Sequence, residues 1–159
     1  MAFFDDLFFE FFKAEVLAGL HYKLRNSPPN RYACLVAEPE SDWTELTKKK
    51  IVGAVDVTAQ RDDAVLRHLS GAEEYLYVSG LAVSPSFRRR RIGSALLKAC
   101  DVMSLMWGFR FLVLRVYEDD LGAQKLYTAA GYREVSGDYP WMTTWVGRKR
   151  RLLMIKQIF

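Results

Sequence analysis

Residues 84–100 read SPSFRRRRIGSALLKAC: a short turn with a proline, four consecutive arginines (Arg88, Arg89, Arg90 and Arg91), then a glycine inside an apolar run. The flanking sequence decides what the arginines are for. Upstream, YLYVSGLAV (75–83) is rich in aromatic and β-branched residues and predicts a strand, with Gly80 marking a bulge or a close backbone approach. Downstream, Ile92, Ala95, Leu96, Ala99, Val102, Met103 and Met106 recur at helical spacing, and Gly108 stops the run. Strand, turn and helix in that order put the arginines at a helix N-terminus. Unbonded N–H groups and the positive end of the helix dipole favour an anion there, and guanidinium forks suit phosphate oxygens. The favoured ligand is a small molecule with several phosphates. A solvated basic turn and a nucleic-acid patch remain as alternatives, although neither a nucleic-acid patch nor a nuclear address needs a place between a buried strand and a buried helix.

The bulk properties agree with a local role for this charge. The chain has 159 residues, half of them hydrophobic and 26% charged, which fits one globular domain over 1–159. Its net charge of +4 equals the number of arginines in the run, and a second basic run, RKRR, spans 148–151. No apolar stretch approaches the roughly 20 residues of a membrane span, so no membrane partner is expected. Cys34 and Cys100 lie far apart among apolar residues and predict buried free thiols in a reducing compartment. The phenylalanine-rich start is broken by Asp5, Asp6 and Glu10, unlike a signal peptide, so an intracellular protein is expected. His21 and His68 are solitary, and no metal site is expected.

Around this centre, residues 3–25 predict a helix ending before Pro28 and Pro29. YACLVA (32–37) and IVGAVDV (51–57) predict a hairpin, followed by a charged linker (61–74). After the central helix come a strand, FLVLRVY (111–117), a helix over 121–130 closed by Gly131, and strand-like runs over 132–145 and 152–158. This order gives an α/β fold with a mixed sheet.

Two of these segments together, LAVSPSFRRRRIGSALL (81–97) and DDLGAQKLYTAAGY (119–132), resemble the signature motifs of GNAT-type N-acetyltransferases, over roughly residues 32–158. The longer run EYLYVSGLAVSPSFRRRRI is similar to plant plastid members, which implies a plastid location. The resemblance implies a GNAT-like mixed central sheet flanked by helices, with the family's first strand missing, and acetyl-CoA as co-substrate without a metal. It assigns coenzyme binding to Leu81, Ala82 and Val83, to Arg88, Arg89, Arg90, Arg91, Ile92, Gly93 and Ser94, and to Asp120, Ala123 and Tyr127. Arg91 stands where the family has glycine, and Asp120 where it often has asparagine. A left-handed backbone at Arg91 would cost about 1–2 kcal/mol; the expectation is that the turn tolerates it with the side chain outward.

The resemblance also implies that the strands at 75–83 and 111–117 splay apart around the pantetheine arm, freeing backbone N–H groups near Gly80 to Val83 for the oxyanion. Tyr127 matches the family's general acid, the alternative being plain packing on its helix. Tyr77 is the candidate base and acceptor contact, against the alternative of a packed strand aromatic. Arg115 occupies the position where relatives carry a glutamate or histidine base, leaving Glu73, Glu74 and Glu118 as further candidates. Tyr139 and Trp141, with Trp145, line an acceptor groove or simply pack a hairpin. The acceptor implied is a protein or peptide amine, either an N-terminal α-amine or a lysine ε-amine. An arylalkylamine-type small-molecule enzyme and a non-catalytic module binding CoA or nucleic acid are the rivals; nucleic acid is the disfavoured partner.

Overall fold

The computed structural model of the protein describes residues 15–16, 30–39, 50–137 and 149–159. Seven strands form one sheet among the described residues: β1 (Glu15–Val16), β2 (Tyr32–Ala37), β3 (Gly53–Gln60), β4 (Tyr75–Val83), β5 (Phe111–Tyr117), β6 (Arg133–Gly137) and β7 (Arg151–Gln157). Three helices accompany them: α1 (Asp63–Leu66), α2 (Ile92–Trp107) and α3 (Leu121–Ala129). The spatial order is β1-β2-β3-β4-β5-β7-β6. Every neighbouring pair is antiparallel except β4 and β5. A parallel pair needs a long crossover, and the segment carrying α2 supplies it.

Alternation along the central strands divides the core in two. Leu76 and Val78 of β4, with Val55, Val57, Leu112 and Leu114, pack beneath Leu96, Leu97 and Cys100 of α2. Tyr75, Phe111, Val113, Leu153 and Ile155 belong to a second cluster with Val65 of α1 and Leu69. Residues 111–114 of β5 are buried without interruption, the signature of a strand covered on both faces. At its C-terminal end α2 closes on Gly108 in a left-handed conformation (φ 77°), and the Phe109 amide bonds back to the Ser104 carbonyl at 2.9 Å. Buried Ser104 is satisfied in turn, its hydroxyl donating to the Phe109 carbonyl at 2.6 Å. On the sheet side, Lys156 of β7 grips Asp101 of α2 at 2.6 Å.

Two expectations change. Glu15 and Val16 pair with Val36 and Leu35 as a short edge strand rather than lying within a helix, so a strand does precede β2. A two-residue pairing carries too little periodicity to be seen in a phenylalanine-rich stretch. The remainder of that stretch lies outside the described residues. Of the two cysteines, only Cys100 is a fully buried free thiol, pushed up to about 12 by desolvation; Cys34 is half-buried on β2.

Leu96 is wholly inaccessible at the contact of α2 with the sheet. Leu96→Ala is expected to cost about 2–5 kcal/mol, read as a lower urea midpoint with an unchanged m-value.

Candidate functional site

The site begins with one extra residue. β3 and β4 pair Ala54 with Ala82 but Asp56 with Ser79, so β4 accommodates a bulge at Gly80 and Leu81. Gly80 has φ +65°, and a Cβ placed there would meet Asp56 Oδ2 at 3.2 Å. The carboxylate is anchored, because the Tyr32 hydroxyl donates to Asp56 Oδ1 at 2.9 Å. Conformation and space both call for glycine at this point.

Beyond the bulge β4 leaves β5. The parallel ladder holds only at Leu76 with Leu112 and Tyr77 with Val113. A cavity of about 210 Å³ lies where the strands part, lined by β4 from Tyr77 to Leu81, by Arg115 and Tyr117 of β5, by Tyr127 of α3 and by Arg151 of β7. The Ser84 amide donates to Val52 beside β3 at 2.8 Å. Peptide groups alternate sides along a strand, which turns those of Leu81 and Val83 toward the gap. Consistent with this, the Val83 carbonyl takes Arg88 Nε at 3.4 Å rather than a strand partner.

Next to the gap stands the arginine turn. A 3₁₀ turn, Pro85–Phe87, leads into four exposed arginines, two of them left-handed: Arg89 at φ 61° and Arg91 at φ 59°. Arg91 caps α2, and the first bond of the helix runs from the Ala95 amide to the Arg91 carbonyl at 3.0 Å. The amides of Ile92, Gly93 and Ser94 therefore have no carbonyl beneath them within the helix. The guanidinium of Arg90 lies 5.0 Å from the centroid of the Phe87 ring, and Lys50 Nζ lies 5.5 Å from it. A Cβ at Gly93 would meet Leu126 Cδ2 at 3.2 Å, so the start of α2 is seated closely against α3. The side chain of Arg91 is exposed, as expected, and its backbone is the left-handed one that carries a cost.

Tyr127 reaches the gap from α3. It is half-buried and packs edge-on against Tyr132, with ring centroids 6.1 Å apart at 64°. Burial, followed by the charges of Asp120 and Tyr77, raises its phenol above the usual value and keeps it protonated at neutral pH. Tyr77 lines the same cavity. Asp120 serves as the N-cap of α3, its Oδ1 accepting from the Ala123 amide at 2.9 Å. Gln124 Nε2 ties that helix to the end of β5 by donating to the carbonyls of Tyr117 and Glu118 at 3.0 and 2.8 Å.

The glutamates proposed as bases are elsewhere. Glu74 binds Arg31 through both oxygens at 2.6 and 3.2 Å, and with Glu73 it lines a separate cavity of about 440 Å³ at the N-terminal end of β4. Glu118 faces Arg150 at 3.3 Å. Tyr139, Trp141 and Trp145 lie outside the described residues. Two lining residues, Tyr117 and Arg151, escape sequence reasoning. Their signal is parity: Arg115 and Tyr117 share one face of β5, and Arg151 pairs directly with Tyr117.

Comparison with known proteins gives this geometry its family. The profile of the Acetyltransferase (GNAT) family matches residues 2–132. The chain belongs to the GNAT acetyltransferase family. It is 60% identical over 157 residues to GCN5-related N-acetyltransferase 10, chloroplastic, of Arabidopsis thaliana, covering 99% of this chain and 61% of that protein's length. Among solved structures, the NatC complex bound to Gag peptide and CoA superposes with a TM-score of 0.62 at 14% identity, covering 97% of this chain and 87% of that one. A Bacillus anthracis structure described as a streptothricin acetyltransferase in complex with acetyl coenzyme A gives a TM-score of 0.59 at 14% identity, covering 83% of this chain and 64% of that one. These neighbours share the GNAT fold, with its mixed sheet flanked by helices.

The left-handed Arg91 generates a stability prediction. Arg91→Gly removes a Cβ penalty of about 1–2 kcal/mol but adds freedom to the unfolded chain. A net gain of up to about 1 kcal/mol is expected in urea unfolding, and a clear loss of stability would contradict the reading of this turn.

Proposed function

We propose that the chain is an N-acetyltransferase that moves the acetyl group of acetyl-CoA directly onto an amine of a protein, an N-terminal α-amine or a lysine ε-amine, in the plastid. The observation that carries this is the parting of β4 from β5 beside an arginine-rich helix start, with Tyr77 and Tyr127 in the wall of the opening. The chloroplastic relative supports the location, and the peptide and CoA in the NatC neighbour support a protein acceptor.

In this reading the guanidinium groups of Arg88 to Arg91 and the amides of Ile92 to Ser94 hold the coenzyme phosphates. These fit the cradle: four exposed arginines adjoin the helix-start amides, and no carbonyl of the helix competes for those amides. Backbone groups from Leu81 to Val83 line the pantetheine arm, with Asp120 and Ala123 at its other side, and the Leu81 and Val83 amides hold the developing oxyanion. Tyr77 receives the amine and passes its proton to water. The amine nitrogen bonds to the acetyl carbon, the C–S bond breaks, and Tyr127 gives its hydroxyl proton to the departing sulfur, regaining one through water from the nitrogen that has attacked. A phenol near 10 is a weak donor to a thiolate whose conjugate acid is near 8.5, an adverse step of roughly 2 kcal/mol. The raised phenol adds to that cost, which favours transfer that accompanies C–S cleavage. Tyr139 and Trp141 are proposed acceptor contacts on the family resemblance alone.

Incubation with acetyl-CoA and a mixed peptide library tests the reading, with acetylated amines located by mass spectrometry; acetylation of no peptide amine would overturn it. In the same assay Tyr127→Phe, which keeps the ring, is expected to lower kcat by about 10²–10⁴. The KM for acetyl-CoA should move far less. Full activity in a well-folded Tyr127→Phe protein would remove the general acid.

A further inference from the structure

The cavity of about 440 Å³ lies at the opposite end of the sheet from the β4–β5 opening. Arg31 enters β2 there, Arg61 leaves β3, Glu73 and Glu74 lead into β4, and the turn from Trp107 joins α2 to β5. Acetyl transfer makes no use of it, and the length of α2, 16 residues or about 24 Å, separates it from the arginine turn. Its walls are fixed by bonds within the fold. Arg31 grips Glu74 through both oxygens at 2.6 and 3.2 Å, and the Ala59 amide donates to the Arg31 carbonyl at 2.7 Å. The turn that carries Trp107 is closed twice, by the Phe109 amide on the Ser104 carbonyl and by the Ser104 hydroxyl on the Phe109 carbonyl. Gly71 and Gly108 line the space with left-handed backbones, and nothing lies within 4 Å of where a Cβ on either would stand. The cavity is thus preformed, with a volume in the range of small-molecule sites, roughly 300–1,000 Å³.

The lining carries both signs of charge. Arg31 and Glu74 neutralise each other, and Arg110 is engaged with the Phe159 carbonyl through Nε at 3.1 Å. Glu74 is held below the usual carboxylate range chiefly by its bond to Arg31 and in smaller part by the charge of Arg61, which is therefore close by. Arg61 and Glu73 are both exposed, and neither forms an ion pair among the described residues. One cation and one anion thus stand ready beside two half-buried aromatic residues, Trp107 and Phe109. A simple anion would meet Glu73 and Glu74 as well as Arg61, and a simple cation would meet Arg61 as well as Glu73. A ligand with both charges on adjacent atoms satisfies the two groups together, the guanidinium fork taking a carboxylate. Trp107 and Phe109 supply apolar area for the body of such a ligand.

We infer that this cavity is a second ligand site that takes a free α-amino acid with an aromatic side chain. Arg61 holds the carboxylate, Glu73 the ammonium, and the side chain lies against Trp107 and Phe109. The site is separate from the β4–β5 opening, so it stands or falls independently of the transferase reading.

The probe is phenylalanine, titrated into ¹⁵N-labelled protein and followed at the indole N–H resonance of Trp107, which Trp107→Phe identifies. Saturable shifts with a Kd on the order of 1 mM or tighter are expected. Acetyl-CoA should change that Kd by less than about two-fold, because the two sites share no residue. Phenylalanine amide, which lacks the carboxylate, and 3-phenylpropanoate, which lacks the ammonium, should each bind about ten-fold more weakly or worse. Arg61→Gln should weaken phenylalanine to about the level of the amide and leave the amide itself within about two-fold; Glu73→Gln should do the same with respect to 3-phenylpropanoate. Both side chains are exposed, and thermal melting checks that each variant is folded. No saturable shift up to about 20 mM phenylalanine would overturn the inference. So would displacement by acetyl-CoA, an analogue with one charge binding as tightly as phenylalanine, or folded variants that leave the order of the three ligands unchanged.

Discussion

Everything distinctive about this sheet follows from a carboxylate that occupies the space a side chain at position 80 would need. Asp56, pinned by Tyr32, would sit only 3.2 Å from a Cβ at this position, and Gly80 takes up the left-handed conformation of a bulge. The extra residue re-aims β4 just past Tyr77, and the parallel ladder with β5 ends there. A strand torn from its neighbour leaves peptide groups without a strand partner; the Val83 carbonyl takes Arg88 instead, and leaving such groups dry costs about 1–3 kcal/mol each. Those of Leu81 and Val83 face a gap that water or a ligand must fill. The opening is thus a consequence of backbone accounting, fixed by a hydrogen bond on the far side of β3.

Strain marks the other half of the site. Arg89 and Arg91 both hold left-handed φ values, at about 1–2 kcal/mol apiece, where glycine would adopt the same backbone more cheaply. Keeping arginine there gives up stability and gains two guanidinium groups beside unbonded amides of α2. Close seating of Gly93 on Leu126 then fixes this turn relative to the helix that carries Tyr127. Arginine turn, gap and phenol are held to one scaffold, because α2 is anchored by Leu96, Leu97 and Cys100 over the sheet and by Asp101 on Lys156.

Much of this was legible in the sequence because it is encoded locally. The α2 stripe, the β-branched runs of β4 and β5, and the glycine within β4 each carry their own period or punctuation. What was hidden depends on register between distant segments. Insertion of β7 between β5 and β6 brings Arg151 opposite Tyr117, and nothing near either residue announces that pairing. Glu74 looked available until Arg31, far away in sequence, took both its oxygens. Asp120 is a different case. An aspartate before an apolar helix is a readable N-cap, and the bond to the Ala123 amide adds that role to the one the family resemblance implies. The short strand β1 was missed because two residues carry no period.

Amide hydrogen exchange at single-residue resolution tests the central claim most directly, because that claim concerns particular N–H groups. Leu81, Val83 and Ile92 to Ser94 should exchange quickly in the free protein and become protected when acetyl-CoA is added. Amides of Leu112 and Leu114, already bonded within the sheet, should be slow in both states. Protection of Leu81 and Val83 before any ligand is added would mean that β4 does not part from β5. Protection on binding that spared both the gap and the arginine turn would contradict the account altogether.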